Sequence, residues 1–115
     1  MEKFTIYHNP CCSKSRQTLA ILQEHEVSIK ITEYLKESLS TEELEATIDK
    51  LGVSSCELIR KGESEYVENF KGKEMSEKDC LQAMIDFPKL MERPIVIKDN
   101  KAIIGRPPEK VLDLL

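Results

Sequence analysis

The chain lacks features that would identify several classes of protein. Its 115 residues include no apolar stretch of signal-peptide length and none near the ~20 residues of a membrane span. It has four cysteines but no C-x-x-C, and its only histidines are His8 and His25, so no metal site is predicted. A net charge of −4 argues against a nucleic-acid surface. We therefore expect a soluble, cytoplasmic protein that binds neither membrane nor nucleic acid and forms no disulfide framework.

The length and composition predict one globular domain. A chain of 115 residues is large enough for a single core and too short for two. Hydrophobic residues make up 40% and charged residues 33%, which is an ordinary balance with no sign of disorder. The sequence contains no repeat and no low-complexity linker, so the single domain is expected to cover residues 1–115.

The hydrophobic pattern of the first third predicts a βαβ unit. Apolar positions mark strands around residues 4–7 and 29–31, and helical spacing covers residues 13–24. Because the joints are short and a helix lies between the strands, the two strands should be parallel.

The middle of the chain is predicted to be helical. A capping-box pattern begins a helix at Ser40, and Gly52 ends it. A short helix is predicted within residues 54–61. Ser76 caps a further helix, which should end near Pro88.

The last third returns to a period of two. Residues 94–97 and 102–104 predict two strands, joined by a two-residue turn at Asp99-Asn100. Pro107-Pro108 then begins a last helix. Its predicted inward-facing residues are Val111, Leu112 and Leu115. The order βαβ, helices, ββα resembles the thioredoxin arrangement, an α/β fold with a mixed sheet and here a helical insert over roughly residues 38–90.

Two adjacent cysteines lie at the joint between the first strand and the first helix, in the stretch YHNPCCSKSRQTL. Cys12 falls at the helix cap, where unpaired N–H groups and the helix dipole favour a thiolate. The amides of Ser13, Lys14 and Ser15 can also bind an oxyanion there. Cys11 lies outside the helix and receives less of this field, so Cys12 is the predicted nucleophile.

Two familiar cysteine mechanisms do not fit this spacing. Ser15 stands where thioredoxin-type oxidoreductases carry a resolving cysteine, so an intermediate on Cys12 would need an external thiol. Tyrosine-phosphatase chemistry requires C-x5-R, and neither cysteine of the loop has an arginine at that distance. Of the other cysteines, Cys80 is predicted to be a core residue. Cys56 is left open, with a remote resolving thiol as one alternative.

The loop HNPCCSKSRQTL resembles the signature of the glutaredoxin-dependent arsenate reductase (ArsC) family, HNPxC followed by x-x-S-R. Further segments that resemble the family are ELIRKGE around Arg60, ERPIVI at Arg93-Pro94 and IIGRPPEKVLDLL at Arg106. The resemblance covers nearly the full chain, and it implies the thioredoxin-like fold with a helical insert.

The resemblance implies the reduction of arsenate to arsenite. The Cys12 thiolate attacks arsenate, glutathione attacks the thiol–arsenic adduct, and glutaredoxin removes the glutathione. Glutathione is then a co-substrate, no cofactor is bound, and the protein is expected to be a monomer. The matching positions are the oxyanion-binding Arg60, Arg93 and Arg106, with Ser13 and Lys14 beside them, the thiolate-tuning His8 and Ser15, and the loop-shaping Asn9, Pro10 and Pro94, the last resembling a cis-proline.

Arginine suits the oxyanion role on physical grounds. Guanidinium groups match tetrahedral oxyanions in charge and geometry, and they offset the repulsion between a thiolate and a dianion. Arg16 is expected to support the loop instead. Ser13-Lys14 stands where characterised family members usually have Gly-Thr, and Lys14 adds a cation at the anion site.

Two alternative functions stay open at this point. One is an Spx-like redox-sensing regulator that binds RNA polymerase, although that subfamily typically has C-x-x-C where this chain has Ser15. The other keeps the thiol chemistry and changes the substrate, as in a glutathione-linked disulfide reductase with negligible arsenate turnover.

Overall fold

The computed structural model describes residues 3–37 and 39–115. The described residues form two compact units, one from 3–37 and 93–115 and the other from 39–92. Within these ranges, none of the helices has the length and apolar character needed to cross a membrane.

The first unit is built on a mixed four-stranded sheet. Its strands are β1 (Lys3–Tyr7), β2 (Ser28–Thr32), β3 (Ile95–Lys98) and β4 (Lys101–Ile104), in the order β2-β1-β3-β4. β1 pairs in parallel with β2, while the β1–β3 and β3–β4 pairs are antiparallel. Helix α1 (Ser13–Glu24) connects the parallel pair, as a parallel crossover requires. The predicted βαβ unit, the C-terminal hairpin and the α/β fold class are confirmed.

The core of this unit lies between the sheet, α1 and the C-terminal segment. Phe4 and Ile6 point to the same face of β1 because side chains alternate along a strand. Leu22 contributes from α1. The buried cluster comprises Phe4, Ile6, Leu22, Val96, Val111 and Leu114.

The last helix differs from its predicted form. Residues Pro108–Leu114 form a 3₁₀ helix, and Val111 is buried as predicted. Leu112 and Leu115, predicted to face inward, are 46% and 37% exposed, so that prediction is wrong. A 3₁₀ helix has three residues per turn, which places Pro108, Val111 and Leu114 on its buried side.

The second unit is helical and contains α2 (Thr41–Leu51), α3 (Ser64–Asn69) and α4 (Glu77–Asp86). Both predicted capping boxes are confirmed, at the starts of α2 and α4. Gly52 ends α2 in the left-handed conformation, with φ of 71°, which glycine adopts without steric cost. The sequence did not predict α3.

The short helix predicted within 54–61 is confined to a 3₁₀ turn, Cys56–Leu58. The chain beyond it is extended: Ile59 forms a β-bridge with Met91. On either side of that bridge, the Arg60 N–H donates to the Leu90 carbonyl and the Glu92 N–H donates to the Leu58 carbonyl. These long-range bonds satisfy the backbone groups that a helix would have paired locally.

Cys56 and Cys80 form a disulfide bond, with their Cα atoms 5.1 Å apart. The sequence predicts no disulfide framework and leaves Cys56 open, so this bond corrects that expectation for one pair. Cys80 is 2% exposed, which agrees with its predicted place in the core. The pairing depends on the contact between α4 and the Cys56–Leu58 turn, and no local pattern reveals a partner 24 residues away.

Candidate active site

Cys12 is the N-cap residue of α1. Its backbone is extended, with φ −100° and ψ 122°, and its carbonyl accepts the N–H of Arg16 to begin the helix. The thiol is free and 8% exposed, whereas the neighbouring thiol of Cys11 is free and exposed. The two cysteines therefore occupy different environments, as the sequence predicted.

Asn9 makes hydrogen bonds to both cysteines and, beyond them, to Ser15, within the loop of residues 8–16 (the cysteine loop). Its side-chain oxygen accepts the N–H of Cys11, and its carbonyl oxygen accepts the N–H of Cys12, each over 3.0 Å. The N–H of Asn9 donates to Oγ of Ser15, also over 3.0 Å. These three bonds fix the chain on both sides of the nucleophile.

The remaining loop residues differ in what they contact. Arg16 donates from Nη1 to the carbonyl oxygen of Pro10 over 2.8 Å, which agrees with its expected support of the loop. Ser13 and Lys14 are exposed, so their side chains border the loop on the solvent side.

Two arginines of the first unit lie at the thiol. Nη2 of Arg106 is 3.7 Å from Sγ of Cys12, and its Nε donates to the carbonyl oxygen of Arg93 over 2.8 Å. Nε and Nη1 of Arg93 are buried and have no hydrogen-bond partner among the residues that the structure describes. Buried polar groups are rarely left unpaired, so these donors point to a ligand that supplies acceptor oxygens.

The pKa of the Cys12 thiol lies below its ordinary value. Burial acts in the opposite direction and is the largest single influence, since it disfavours the charged form. Four groups that favour the thiolate together outweigh burial. In decreasing order they are the N–H of Ser15, the guanidinium of Arg93, the N–H of Lys14 and the guanidinium of Arg106.

His8 and Ser15 form a buried pair beneath the loop. Nδ1 of His8 lies 2.6 Å from Oγ of Ser15, which also accepts the N–H of Asn9. Burial lowers the pKa of His8, with a smaller lowering from Arg16, and the Glu33 carboxylate opposes both. A neutral His8 can accept the Ser15 proton, which leaves the loop fully hydrogen-bonded at this point.

Thr18 and Gly105, which were not among the predicted site residues, lie in close contact next to Arg106. Oγ1 of Thr18 donates to the Lys14 carbonyl over 2.8 Å and lies 3.5 Å from the Gly105 carbonyl. A Cβ atom on Gly105 would fall 2.7 Å from Oγ1 of Thr18 and 2.9 Å from Cγ of Pro94. Only glycine permits the chain directly after β4 to approach α1 this closely. The glycine directly before Arg106 in the sequence was the available signal.

Pro94 joins the two arginine segments. The Arg93–Pro94 peptide bond is cis, as the resemblance implied, and so is Arg106–Pro107. The carbonyl oxygen of Pro94 accepts the N–H of Gly105 over 2.9 Å. Arg93 and Arg106 therefore extend from neighbouring, directly bonded stretches of backbone.

Arg60 belongs to the second unit, where two carboxylates contact it. Nη1 lies 2.9 Å from Glu63, and Nε lies 3.5 Å from Glu92. The residue lines a groove of about 610 Å³ that also includes Cys56 and Lys61. These carboxylates offset the positive charge that Arg60 could offer to an oxyanion.

A thioredoxin-like sheet with one activated cysteine at a helix N-terminus defines the class of this protein. Within that class the chain matches the ArsC family over residues 7–114 and belongs to it. It is 47% identical to the protein YfgD of Escherichia coli strain K12, over 96% of this chain and 94% of that one. It is 40% identical to an arsenate reductase of Haemophilus influenzae, over 96% and 97%. The solved arsenate reductase of Vibrio cholerae superposes with a TM-score of 0.93 and 41% identity, over 99% and 98%.

Proposed function

We propose that the protein reduces arsenate to arsenite, with Cys12 as the nucleophile and glutathione and glutaredoxin as the source of electrons. The observation that carries the proposal is the unpaired, buried Nε and Nη1 of Arg93 in the unit that holds the Cys12 thiol. Arsenate reductases among the relatives of this chain support the choice of oxyanion.

The first step joins sulfur to arsenic. The Cys12 thiolate attacks arsenic(V), and one arsenate oxygen leaves as water after protonation. Arg93 and Arg106 bind the remaining oxygens and offset the repulsion between two anions. The exposed Lys14 adds positive charge beside the loop, and we assign Arg60 an oxyanion-binding role from its family match.

The later steps supply two electrons. A first glutathione attacks arsenic and displaces a second oxygen as water. The glutaredoxin thiolate then attacks the glutathione sulfur, which forms a mixed disulfide and leaves two electrons on arsenic, now arsenic(III). Water hydrolyses the Cys12–arsenic bond, so arsenite leaves and Cys12 returns as a thiol. In sum, arsenate, two thiols and two protons give arsenite, one disulfide and one water. The absence of a resolving cysteine at Ser15 makes the external thiols necessary. A cytoplasmic monomer that meets a glutathione pool is part of the proposal.

A coupled assay tests the substrate and the nucleophile together. Arsenate, glutathione, glutaredoxin and glutathione reductase are combined, and NADPH consumption is followed. We expect an arsenate-dependent rate that Cys12→Ser abolishes and Cys11→Ser, the matched control, largely retains. A rate that does not depend on arsenate, but does on Cys12, would instead identify a thiol reductase with another substrate. Equal arsenate-dependent rates for the wild type and Cys12→Ser would sink the assignment of the nucleophile.

A further inference from the structure

The disulfide of the second unit joins two sulfurs in different surroundings. Cys56 is partly exposed and lines the groove that also contains Arg60. Cys80 lies on α4 and is 2% exposed. A thiol from solvent can therefore approach the bond at Cys56 Sγ, whereas Cys80 Sγ is shielded.

The surroundings of Cys56 also suit a free thiol. Its Sγ lies 3.6 Å from the carbonyl oxygen of Ser76 and 3.8 Å from that of Met75. A thiol proton would have an acceptor in either carbonyl. Cys80, once reduced, is a small apolar side chain in an apolar place. The surrounding residues are therefore compatible with both the disulfide and the two free thiols.

A second contact, independent of the disulfide, links the Cys56–Leu58 turn to α4. The Glu77 carboxylate accepts the N–H of Ser55 over 3.2 Å and the N–H of Cys56 over 3.3 Å. Because Glu77 begins α4, it ties the Cys56–Leu58 turn to the helix that carries Cys80. Cleavage of the sulfur–sulfur bond would weaken the link between the turn and α4, while the hydrogen bonds of Glu77 would still hold the two together.

The disulfide anchors the segment that leads to Arg60. Only three residues lie between Cys56 and Arg60, and two of them, Leu58 and Ile59, are buried. The far end is held by the Arg60 N–H, which donates to the Leu90 carbonyl over 2.7 Å. The guanidinium of Arg60 thus extends from the short segment 56–60, which the disulfide holds at Cys56.

We propose that Cys56 and Cys80 form a second redox site, a disulfide that a low-molecular-weight thiol opens at Cys56 and whose closed state holds Arg60 for oxyanion binding. The oxyanion-binding role of Arg60 rests on the proposed function. Cytoplasmic disulfides are usually catalytic or redox-sensing rather than structural, which favours a reversible bond here. The site is separate from Cys12, which has its own thiol chemistry.

The opening reaction is an ordinary thiol–disulfide exchange. A thiolate attacks Cys56 Sγ, the bond to Cys80 breaks, and its electron pair leaves on Cys80 Sγ, which takes up a proton. A second thiol then attacks the mixed disulfide and releases Cys56 as a thiol. The protein disulfide gains two electrons, and two small thiols become one small disulfide. Closure is the reverse, with that small disulfide as the oxidant.

Mass spectrometry after alkylation tests the bond and its polarity. In Cys11→Ser/Cys12→Ser, N-ethylmaleimide should add to no cysteine before reduction and to two after equilibration with reduced glutathione. With oxidised glutathione, the further variant Cys80→Ser should form a mixed disulfide at Cys56. The matched variant Cys56→Ser should leave the shielded Cys80 at least about tenfold slower to react. Two free thiols from the start, or equal rates at both positions, would overturn the site.

A binding measurement tests the link to Arg60. Arsenate binding to Cys11→Ser/Cys12→Ser is measured by calorimetry with the disulfide closed, and again after reduction and removal of the reductant. We expect binding about fivefold or more weaker in the open form. In Arg60→Ala the two forms should bind alike, and Cys56→Ala/Cys80→Ala should match the open form.

The outcomes separate this inference from the proposed function. Equal affinities in the closed and open forms, with Arg60 intact, would overturn the link to Arg60 and leave the proposed function standing. Absence of arsenate binding in both forms would overturn the proposed function and the link together. The alkylation masses decide the redox site in either case, because they do not depend on arsenate.

Discussion

Arg106 donates a hydrogen bond from Nε to the carbonyl oxygen of Arg93, over 2.8 Å. The same guanidinium directs Nη2 toward Sγ of Cys12, so it contacts both the nucleophile and the backbone of the second arginine. Arg93 keeps two donor atoms without a partner within residues 3–37 and 39–115. The two arginines therefore differ in their tasks: Arg106 is engaged with the protein, and Arg93 is available to a ligand.

Arg93→Ala is expected to weaken arsenate binding more than it slows chemistry. Loss of charge-assisted hydrogen bonds from buried donors costs about 1.5–3 kcal/mol, which corresponds to roughly 10- to 100-fold in KM. Steady-state kinetics in the coupled assay measure the change. Lys101→Ala, which removes an exposed positive charge from β4, is the matched control and should leave KM within about twofold. Equal effects of the two substitutions would show that only net charge matters.

The Cys12 thiol should react as a thiolate at a pH below the ordinary cysteine range. Its lowered pKa predicts an iodoacetamide reaction whose midpoint lies at a lower pH than that of a free cysteine measured alongside it. Rates are measured against pH in a Cys11→Ser background, where the other two cysteines are in the disulfide. Arg106→Gln removes one of the favourable charges and should move the midpoint upward. A midpoint at or above that of free cysteine would contradict the assigned electrostatics.

The buried His8 should make the protein less stable in mild acid. Burial lowers the pKa of His8 in the folded state, so the unfolded chain binds a proton first as the pH falls. The free energy of unfolding should therefore decrease as the pH falls below the unfolded value of ~6.5. Urea unfolding at pH 7.5 and pH 5.5 measures the loss. His8→Gln should reduce it, while His25→Gln, at an exposed histidine, should retain the wild-type loss.

Gly105→Ala should destabilise the first unit. The added Cβ would overlap Oγ1 of Thr18 and Cγ of Pro94, and neither group lies at the end of a long flexible chain. Overpacking of this kind costs about 1–3 kcal/mol and should also displace Arg106, which follows directly. Denaturant unfolding and the coupled assay give the two readouts. Gly62→Ala is the matched control, because nothing lies within 4 Å of its added Cβ. A Gly105→Ala protein as stable as that control would refute the close-approach argument.

The sequence predicted the parts of the fold that local patterns encode. The capping boxes at Ser40 and Ser76, the Gly52 helix end and the Asp99-Asn100 turn each depend on a few neighbouring residues, and all are present. The segment after Cys56 was mispredicted because its backbone pairs with Leu90 and Met91, some thirty residues away, rather than with itself.

In the candidate site, too, the local features could be predicted from the sequence and the long-range contacts could not. The position of Cys12 at a helix cap follows from the strand–loop–helix pattern alone. The bond between Arg106 and the Arg93 carbonyl depends on the pairing of β3 with β4. The contact between Gly105 and Thr18 depends on how closely the chain after β4 approaches α1. The Cys56–Cys80 pairing likewise depends on helix packing that no spacing rule for cysteines contains.

The hydrogen bonds that Asn9, Ser15 and Arg16 make within the cysteine loop span residues 9–16, whereas the contact between Cys12 and Arg106 joins positions 94 apart. Residues 9–16 therefore leave the ribosome long before Arg93 and Arg106 do. A 12-residue helix such as α1 is marginal in water until it packs, so until then Cys12 has neither a stable helix N-terminus nor a guanidinium group beside it. Full reactivity of the thiol thus marks the end of folding, and a chain truncated before β3 would carry a cysteine of more ordinary character.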